Sequence, residues 1–274
     1  MSSTLSQLAA TVTPAVITID IPPTFDIGPI TLAWHGLTIA LGILIGGLLA
    51  GRLARSRGLP VEPLNVIILL VIASALVGGR VYYLAETGRL LEPSRWLAMN
   101  GFTFYGGFIM AAVTIAIYLR RSGHGGAYLD VCAVALPLGI AIGRIGDVIN
   151  GEHYGAQSDF LLAVRNAHPD ALTPNPELAY HNGGLYEVIL GLAIFAIVWP
   201  LRDRLRRRAT ATTWLVLALF AAGRFIEFFL RNDSQHVAAG LNSAQWTSIF
   251  LLAVAAVGAW WTLLRHPHPP RRGR

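Results

Sequence analysis

Charge is scarce in this chain. Of its 274 residues, 13% are charged and 54% are apolar, whereas a soluble domain carries about 25% charged residues. A fold exposed to water on every side is therefore excluded. Cysteine occurs once, at Cys132 within an apolar run, which excludes a disulfide framework, leaves the redox compartment unread and suits core packing. No segment repeats at a fixed period. The last apolar stretch, 244–264, holds no lysine for a retinal Schiff base, which argues against a light-sensing protein. Residues 1–30 have no basic start, and Pro14, Pro22, Pro23 and Pro29 break their apolar runs. We therefore read no cleavable signal peptide and expect the first span to be its own insertion signal. The formal net charge of +6 does not point to nucleic acid, because most arginines sit in short clusters between apolar runs, as in membrane proteins.

What is present is a series of apolar stretches. A bilayer crossing takes about 20 mostly apolar residues, and seven stretches qualify: about 31–51, 64–85, 102–119, 127–149, 184–201, 212–230 and 244–264. The expected fold is all-α, a polytopic membrane protein of seven transmembrane helices over residues 31–264. The third stretch is short, and Pro137 in the fourth favours a kink. Arginines orient the spans. Arg52, Arg55 and Arg57 follow the first, Arg120 and Arg121 the third, and Arg202, Arg204, Arg206, Arg207 and Arg208 the fifth; Arg265, Arg271, Arg272 and Arg274 lie in the tail. In the alternate loops Arg89 and Arg95 face Glu86 and Glu92, and Arg231 faces Asp233. This pattern sets the N-terminal segment 1–30 outside and the basic tail 265–274 in the cytoplasm. The longest loop, about 150–183, is then external and too short for an independent domain; with the N-terminal segment it would form a small cap.

Ionisable groups inside a span cost about 2.5–3.5 kcal/mol on insertion scales, so each needs a reason. With this orientation they gather at outer helix ends: Trp34-His35, Gly78-Gly79-Arg80, Tyr105-Gly106-Gly107, Arg144, Asp147, Asn150-Gly151-Glu152, Tyr186-Glu187, Arg224, Glu227 and Arg231. The inner halves are almost purely apolar. Packing needs alone would scatter polar groups through the bilayer, so one depth suggests a site or a water-filled recess. Local pairing is the plainer alternative, since Arg144/Asp147 and Arg224/Glu227 are i,i+3 and Glu227/Arg231 is i,i+4. Trp34, Tyr82 and Tyr83 read as interface anchors. Gly78, Gly79, Gly106 and Gly107 admit either a ligand or a neighbouring helix. A transporter is disfavoured, because transporters hold polar sites near the midplane within related repeats.

Residues 143–152, GRIGDVINGE, resemble the signature of the bacterial prolipoprotein diacylglyceryl transferases, which usually reads GRxGNFxNGE. Gly78-Gly79-Arg80, Tyr105-Gly106-Gly107, His181, Leu185-Tyr186-Glu187, Gly223-Arg224-Phe225, Arg231-Asn232-Asp233, Gln245 and Ser248 agree in order and spacing, from about Pro29 to residue 260. The resemblance implies seven spans with an outward N-terminus, at the bacterial inner membrane. It implies transfer of the diacylglyceryl group of phosphatidylglycerol to the lipobox cysteine thiol of a prolipoprotein, releasing glycerol phosphate, with no metal or cofactor. The partners implied are phosphatidylglycerol, the prolipoprotein signal peptide with its lipobox, and membrane lipids.

A guanidinium is permanently charged and grips phosphate bidentately. By motif position Arg144 and Arg224 are the phosphate binders, and Arg80 and Arg231 secondary or structural. Gly106, Gly107, Asp147, Asn150, Gly151, Glu152, Tyr186, Glu187 and Glu227 belong to the substrate pocket. The chain departs from the family pattern at several of these places. Tyr105 stands where a histidine, a candidate base, is usual, and a phenol has a reference pKa of about 10. Asp147 replaces an asparagine, His35 a tyrosine, and His181-Asn182-Gly183-Gly184 a His-Pro-Ser-Gln stretch, while Glu227 falls one residue early. His35, with an unperturbed imidazole pKa of about 6.5, is the alternative to Tyr105 as base. A non-catalytic relative that binds lipid is the competing functional reading.

Overall fold

The computed structural model describes residues 16–97, 101, 103–123, 125–232 and 236–264, except the side chains of Glu86, Phe104 and Tyr105. Residues 1–15, Asp233, the arginines of the tail and the Tyr105 side chain lie outside the described residues.

All seven apolar stretches fold as helices: α1 (Trp34–Ser56), α2 (Glu62–Glu86), then after the single-turn α3 (Pro93–Trp96), α4 (Phe104–Arg121), α5 (Gly125–Asn150), α6 (Gly183–Leu205), α7 (Ala211–Glu227) and α8 (Ser243–Leu264). Pro137 lies inside α5 without ending it. α1 stops at Gly58, whose φ of 69° is the left-handed conformation open to glycine; Leu59 N–H then donates to Ala54 O at 2.9 Å, closing the last turn. Among the described residues five helices, α1, α2, α5, α6 and α8, are long and apolar enough to cross a membrane. α4 and α7 have 18 and 17 residues, which at about 1.5 Å each leaves them roughly 3–5 Å short of a hydrocarbon layer about 30 Å thick. Leu44, Leu48, Leu69, Phe250 and Trp260 are more than half exposed, a distribution that suits lipid. The chain is a polytopic, mostly helical membrane protein.

The expectation of an all-α fold misses eight short strands among the described residues. They are β1 (Ile17–Ile19), β2 (Thr24–Ile27), β3 (Ile30–Ala33), β4 (Tyr154–Gln157), β5 (Val164–Asn166), β6 (Tyr180–Asn182), β7 (His236–Ala238) and β8 (Leu241–Asn242). At two to four residues they are too short for period-two alternation to register in the sequence.

The chain divides into two compact units. The first comprises Met1–Gly42, Ile140–Ala193 and Ala218–Val254 and contains all the strands. Its main sheet has the order β1-β5-β6-β4. β1 runs parallel to β5, with Ile17 opposite Val164 and Ile19 opposite Asn166, so the N-terminal segment and the 150–183 stretch share one sheet. β2 and β3 form a hairpin leading into α1, where the Phe25 ring lies 4.5 Å from that of Trp34.

The second unit comprises Ile43–Gly139, Ile194–Leu217 and Ala255–Arg274. There α2 and α4 meet glycine to glycine: a Cβ on Gly78 would collide with Gly106 O, and one on Gly106 with Gly78 O. Gly107 faces Ala75 O, 3.0 Å from where its Cβ would be. These positions serve close helix packing. Arg80 is buried, with Nη1 donating to Gly101 O at 2.7 Å and Nη2 to Arg95 O, which anchors the segment after α3.

Asp130, buried on α5, accepts from Thr210 N–H at 2.8 Å and from Thr213 N–H and Oγ1 at 2.9 and 2.8 Å. It thereby caps α7 from a neighbouring helix. Asp130→Ala is expected to lower the thermal midpoint in detergent, costing about 1–3 kcal/mol, with Asp130→Asn intermediate. An unchanged midpoint would show that water replaces the cap without loss.

Candidate active site

The site is built within the first unit, beginning with a steric notch. Gly146 faces α1 so closely that a Cβ there would lie 2.5 Å from His35 Cα and 2.5 Å from Thr38 Oγ1. Thr38 Oγ1 donates to Gly143 O at 2.9 Å and accepts from Gly146 N–H at 3.1 Å. Gly146 therefore lets α1 and α5 approach, Thr38 bridges to the Gly143 carbonyl beside it, and His35 Nδ1 meets Asp147 Oδ1. A second notch opens α6: Gly184 would place a Cβ 2.9 Å from Asp147 Cβ, and Gly183 one 2.8 Å from Glu227 Oε1. Asn182 Oδ1 accepts from Leu185 N–H at 2.8 Å, capping α6 and fixing the turn that carries Glu187.

Glu187 is the hub, with only 1% of its side chain exposed. Its Oε1 receives Arg224 Nη1 and lies 3.7 Å from Arg231 Nη1. Its Oε2 is 2.7 Å from Arg144 Nε, as an ion pair without hydrogen-bond alignment. Arg144 Nη1 also donates to Asp147 Oδ2 at 2.5 Å. Arg231 Nη1 donates to Glu227 at 3.3 Å and its Nη2 to His153 Nδ1 at 2.8 Å. Phe228 packs beneath two guanidinium groups, 5.0 Å from Arg224 and 4.4 Å from Arg231.

Three arginines and three carboxylates from α5, α6, α7 and the turn after it thus form one network. Exposure sorts the arginines. The side chains of Arg144 and Arg224 are 22% and 17% exposed, that of Arg231 only 6%. Arg144 Nη2 and Arg224 Nη2 have no partner among the described residues. Those two guanidiniums are therefore available to an anion, and Arg231 is structural.

The structure brings together Arg144, Arg224, His35, Asp147, Asn150, Glu152, Glu187, Glu227 and Arg231 of the residues anticipated. Asn150 Nδ2 donates to Glu152 Oε1 at 2.9 Å, and Gly151 makes the turn after α5 with φ 75°. Tyr186 shares a 2.5 Å hydrogen bond with His181. Arg80, Tyr105, Gly106 and Gly107 belong to the second unit. Asn242 caps α8, its Oδ1 accepting from Gln245 N–H at 2.9 Å, and Gln245 Oε1 accepts in return from Asn242 N–H at 3.1 Å. One anticipated pairing differs: Arg224 binds Glu187 of α6, not Glu227 on its own helix. Sequence reasoning passed over His153, which sits directly after the signature in a left-handed turn of φ 60°.

Donor atoms of His35, Asp147 and Glu152 lie within 4.8 Å of one another, close enough to converge on a cation. Both Asp147 oxygens are already engaged, and the Arg144 guanidinium opposes a further positive charge. The trio is a hydrogen-bonded His35–Asp147 pair with the Glu152 carboxylate 3.9 Å from the imidazole.

Comparison with known proteins agrees with the motif. The sequence model described as prolipoprotein diacylglyceryl transferase matches residues 22–261. The phosphatidylglycerol–prolipoprotein diacylglyceryl transferase of Geobacillus kaustophilus (strain HTA426) is 34% identical over 246 residues, covering 85% of this chain and 89% of the relative. That of Parasynechococcus marenigrum (strain WH8102) is 31% identical over 268 residues, 91% of this chain and 96% of the relative. A match of this extent, on a chain whose signature glycines and arginines assemble one buried cluster, places this protein in the prolipoprotein diacylglyceryl transferase family, as a transferase.

Proposed function

We propose that this transferase moves the diacylglyceryl group of phosphatidylglycerol to the lipobox cysteine thiol of prolipoproteins, at the outer face of the bacterial inner membrane. The observation that carries the reading is the pair Arg144 and Arg224, delivered by two helices to one shared carboxylate, that of buried Glu187, while each keeps donors to spare. The reaction displaces a phosphate ester at a glyceryl carbon, so negative charge grows on the leaving phosphate. Guanidinium donors fixed before the reaction stabilise that charge at little reorganisation cost. Arg144 and Arg224 hold the phosphate. Glu187 and Glu227 orient the arginines, and Asn150, Gly151 and Glu152 line the approach from the 150–183 segment. Residues 1–30 and 150–183 are external, residues 31–264 form seven spans and residues 265–274 are a cytoplasmic tail; the alternating arginine clusters support this orientation.

The direct test mixes the detergent-purified protein with phosphatidylglycerol and a lipobox peptide and weighs the peptide by mass spectrometry. The expected result is a gain of one diacylglyceryl group at the cysteine. Tight phosphatidylglycerol binding with an unmodified peptide would mark a lipid binder and overturn the reading.

A further inference from the structure

Three histidines, His35, His153 and His181, adjoin residues of the cluster, and their partners separate them. His153 Nδ1 accepts the Arg231 Nη2 proton at 2.8 Å, so the ring's own proton sits on Nε2, 3.7 Å from Asp147 Oδ2. Neither nitrogen retains a lone pair for a thiol. His181 is tied to Tyr186 at 2.5 Å and touches no arginine or carboxylate of the cluster in any contact among the described residues. His35 is different. Its Nδ1 lies on Asp147 Oδ1, while Oδ2 of the same carboxylate takes Arg144 Nη1 at 2.5 Å. A carboxylate held by a guanidinium is an acceptor, so Nδ1 carries the shared proton and Nε2 keeps its lone pair. That nitrogen has no partner among the described residues, and the side chain is 38% exposed. Glu152 Oε2, 3.9 Å from Nδ1, adds a second carboxylate on the same side of the ring.

We propose that His35 Nε2 takes the proton of the incoming thiol, with Asp147 as the positioning residue that fixes its tautomer and orientation. The inference rests on the transferase reading above. The S–H proton passes to Nε2, and the sulfur forms a C–S bond at the glyceryl carbon bearing the phosphate ester. The C–O bond breaks, and its electron pair leaves on the oxygen of glycerol phosphate. The imidazolium proton then passes to the departing phosphate or to water, which restores His35. Asp147 joins the two halves of the site: one oxygen aligns the base and the other aligns Arg144.

The test measures the rate of peptide mass gain, with phosphatidylglycerol binding followed by native mass spectrometry to show that each variant is folded. His35→Gln, whose amide still donates to Asp147, guards against loss of folding. It is expected to lower kcat about 10²–10³-fold with phosphatidylglycerol binding intact. Asp147→Asn lowers kcat about tenfold or more without raising the KM for phosphatidylglycerol, because Arg144 loses a competitor for its charge. Imidazole added to His35→Gly restores about tenfold of the lost rate, whereas it does nothing for Asp147→Asn, where the ring is still in place. A purely structural role predicts neither the rescue nor the split between kcat and KM. A wild-type rate in His35→Gln, or no imidazole rescue of a lipid-binding His35→Gly, overturns the dyad and leaves the transferase reading standing. A wild-type protein that adds no mass overturns both.

Discussion

Arg144→Ala is expected to cut diacylglyceryl transfer about 10³-fold, the scale set by removing one preorganised donor to a developing oxyanion. The reason lies in how the side chain is spent. Nε faces Glu187 at 2.7 Å and Nη1 binds Asp147 at 2.5 Å, which leaves Nη2 without a partner among the described residues. The substrate phosphate therefore meets a guanidinium whose plane is fixed before it arrives. Arg144→Lys separates charge from geometry, since one ammonium at the end of a flexible stem cannot reproduce the fork. It is expected to lose about 10²-fold even though the charge is kept. A lysine variant at the wild-type rate would show that a point charge suffices, and an active alanine variant would remove Arg144 from the phosphate site. The assay is peptide mass gain per unit time at saturating phosphatidylglycerol.

Glu187→Ala is expected to be the most destabilising single change in the first unit, about 3–5 kcal/mol, because it strands buried positive charge. Arg144, Arg224 and Arg231 all approach this carboxylate. Without it three guanidiniums face each other with only Asp147 and Glu227 to offset them. The thermal midpoint in detergent checks this directly. The double variant Glu187→Ala/Arg144→Ala should lose less than the sum of the single changes, since removing one stranded charge relieves the other. If Glu187→Ala melted at the wild-type temperature, the hub would be a coincidence of packing and the arginines would need another organiser.

Much of this was legible in the sequence, for definite reasons. A crossing helix needs a long apolar run whatever its neighbours, so all seven helices could be read from composition. The pairs Arg144/Asp147 and Glu227/Arg231 were readable from local spacing, and they form. Arg224 shows the limit: spacing favours Glu227, yet its partner is Glu187 on another helix, and only helix rotation decides between them. Apolar runs say nothing about rotation. The strands were invisible because their order comes from pairing across distant segments, with no alternation of their own. Gly146 was visible as part of a motif but not as a notch, since that function depends on the α1 backbone opposite it. His35 and Asp147 were noted as separate departures from the family pattern; that they touch is information only the packing holds.

The strand pairings also carry an arithmetic of sides. Two segments can share a sheet only if the chain between them crosses the membrane an even number of times. β1 and β5 are paired, and between them lie four long helices, α1, α2, α4 and α5. The bridge between Gly155 and Arg231 encloses two, α6 and α7. Were the short α4 or the short α7 to stop inside the bilayer and turn back, one of these counts would become odd and the pairing would have to span the membrane. By this parity the two helices that hydropathy leaves weakest are expected to cross, and an inserted glycosylation or cysteine-labelling tag in the α6–α7 turn and another in the β7–β8 turn, which α7 alone separates, should report opposite sides.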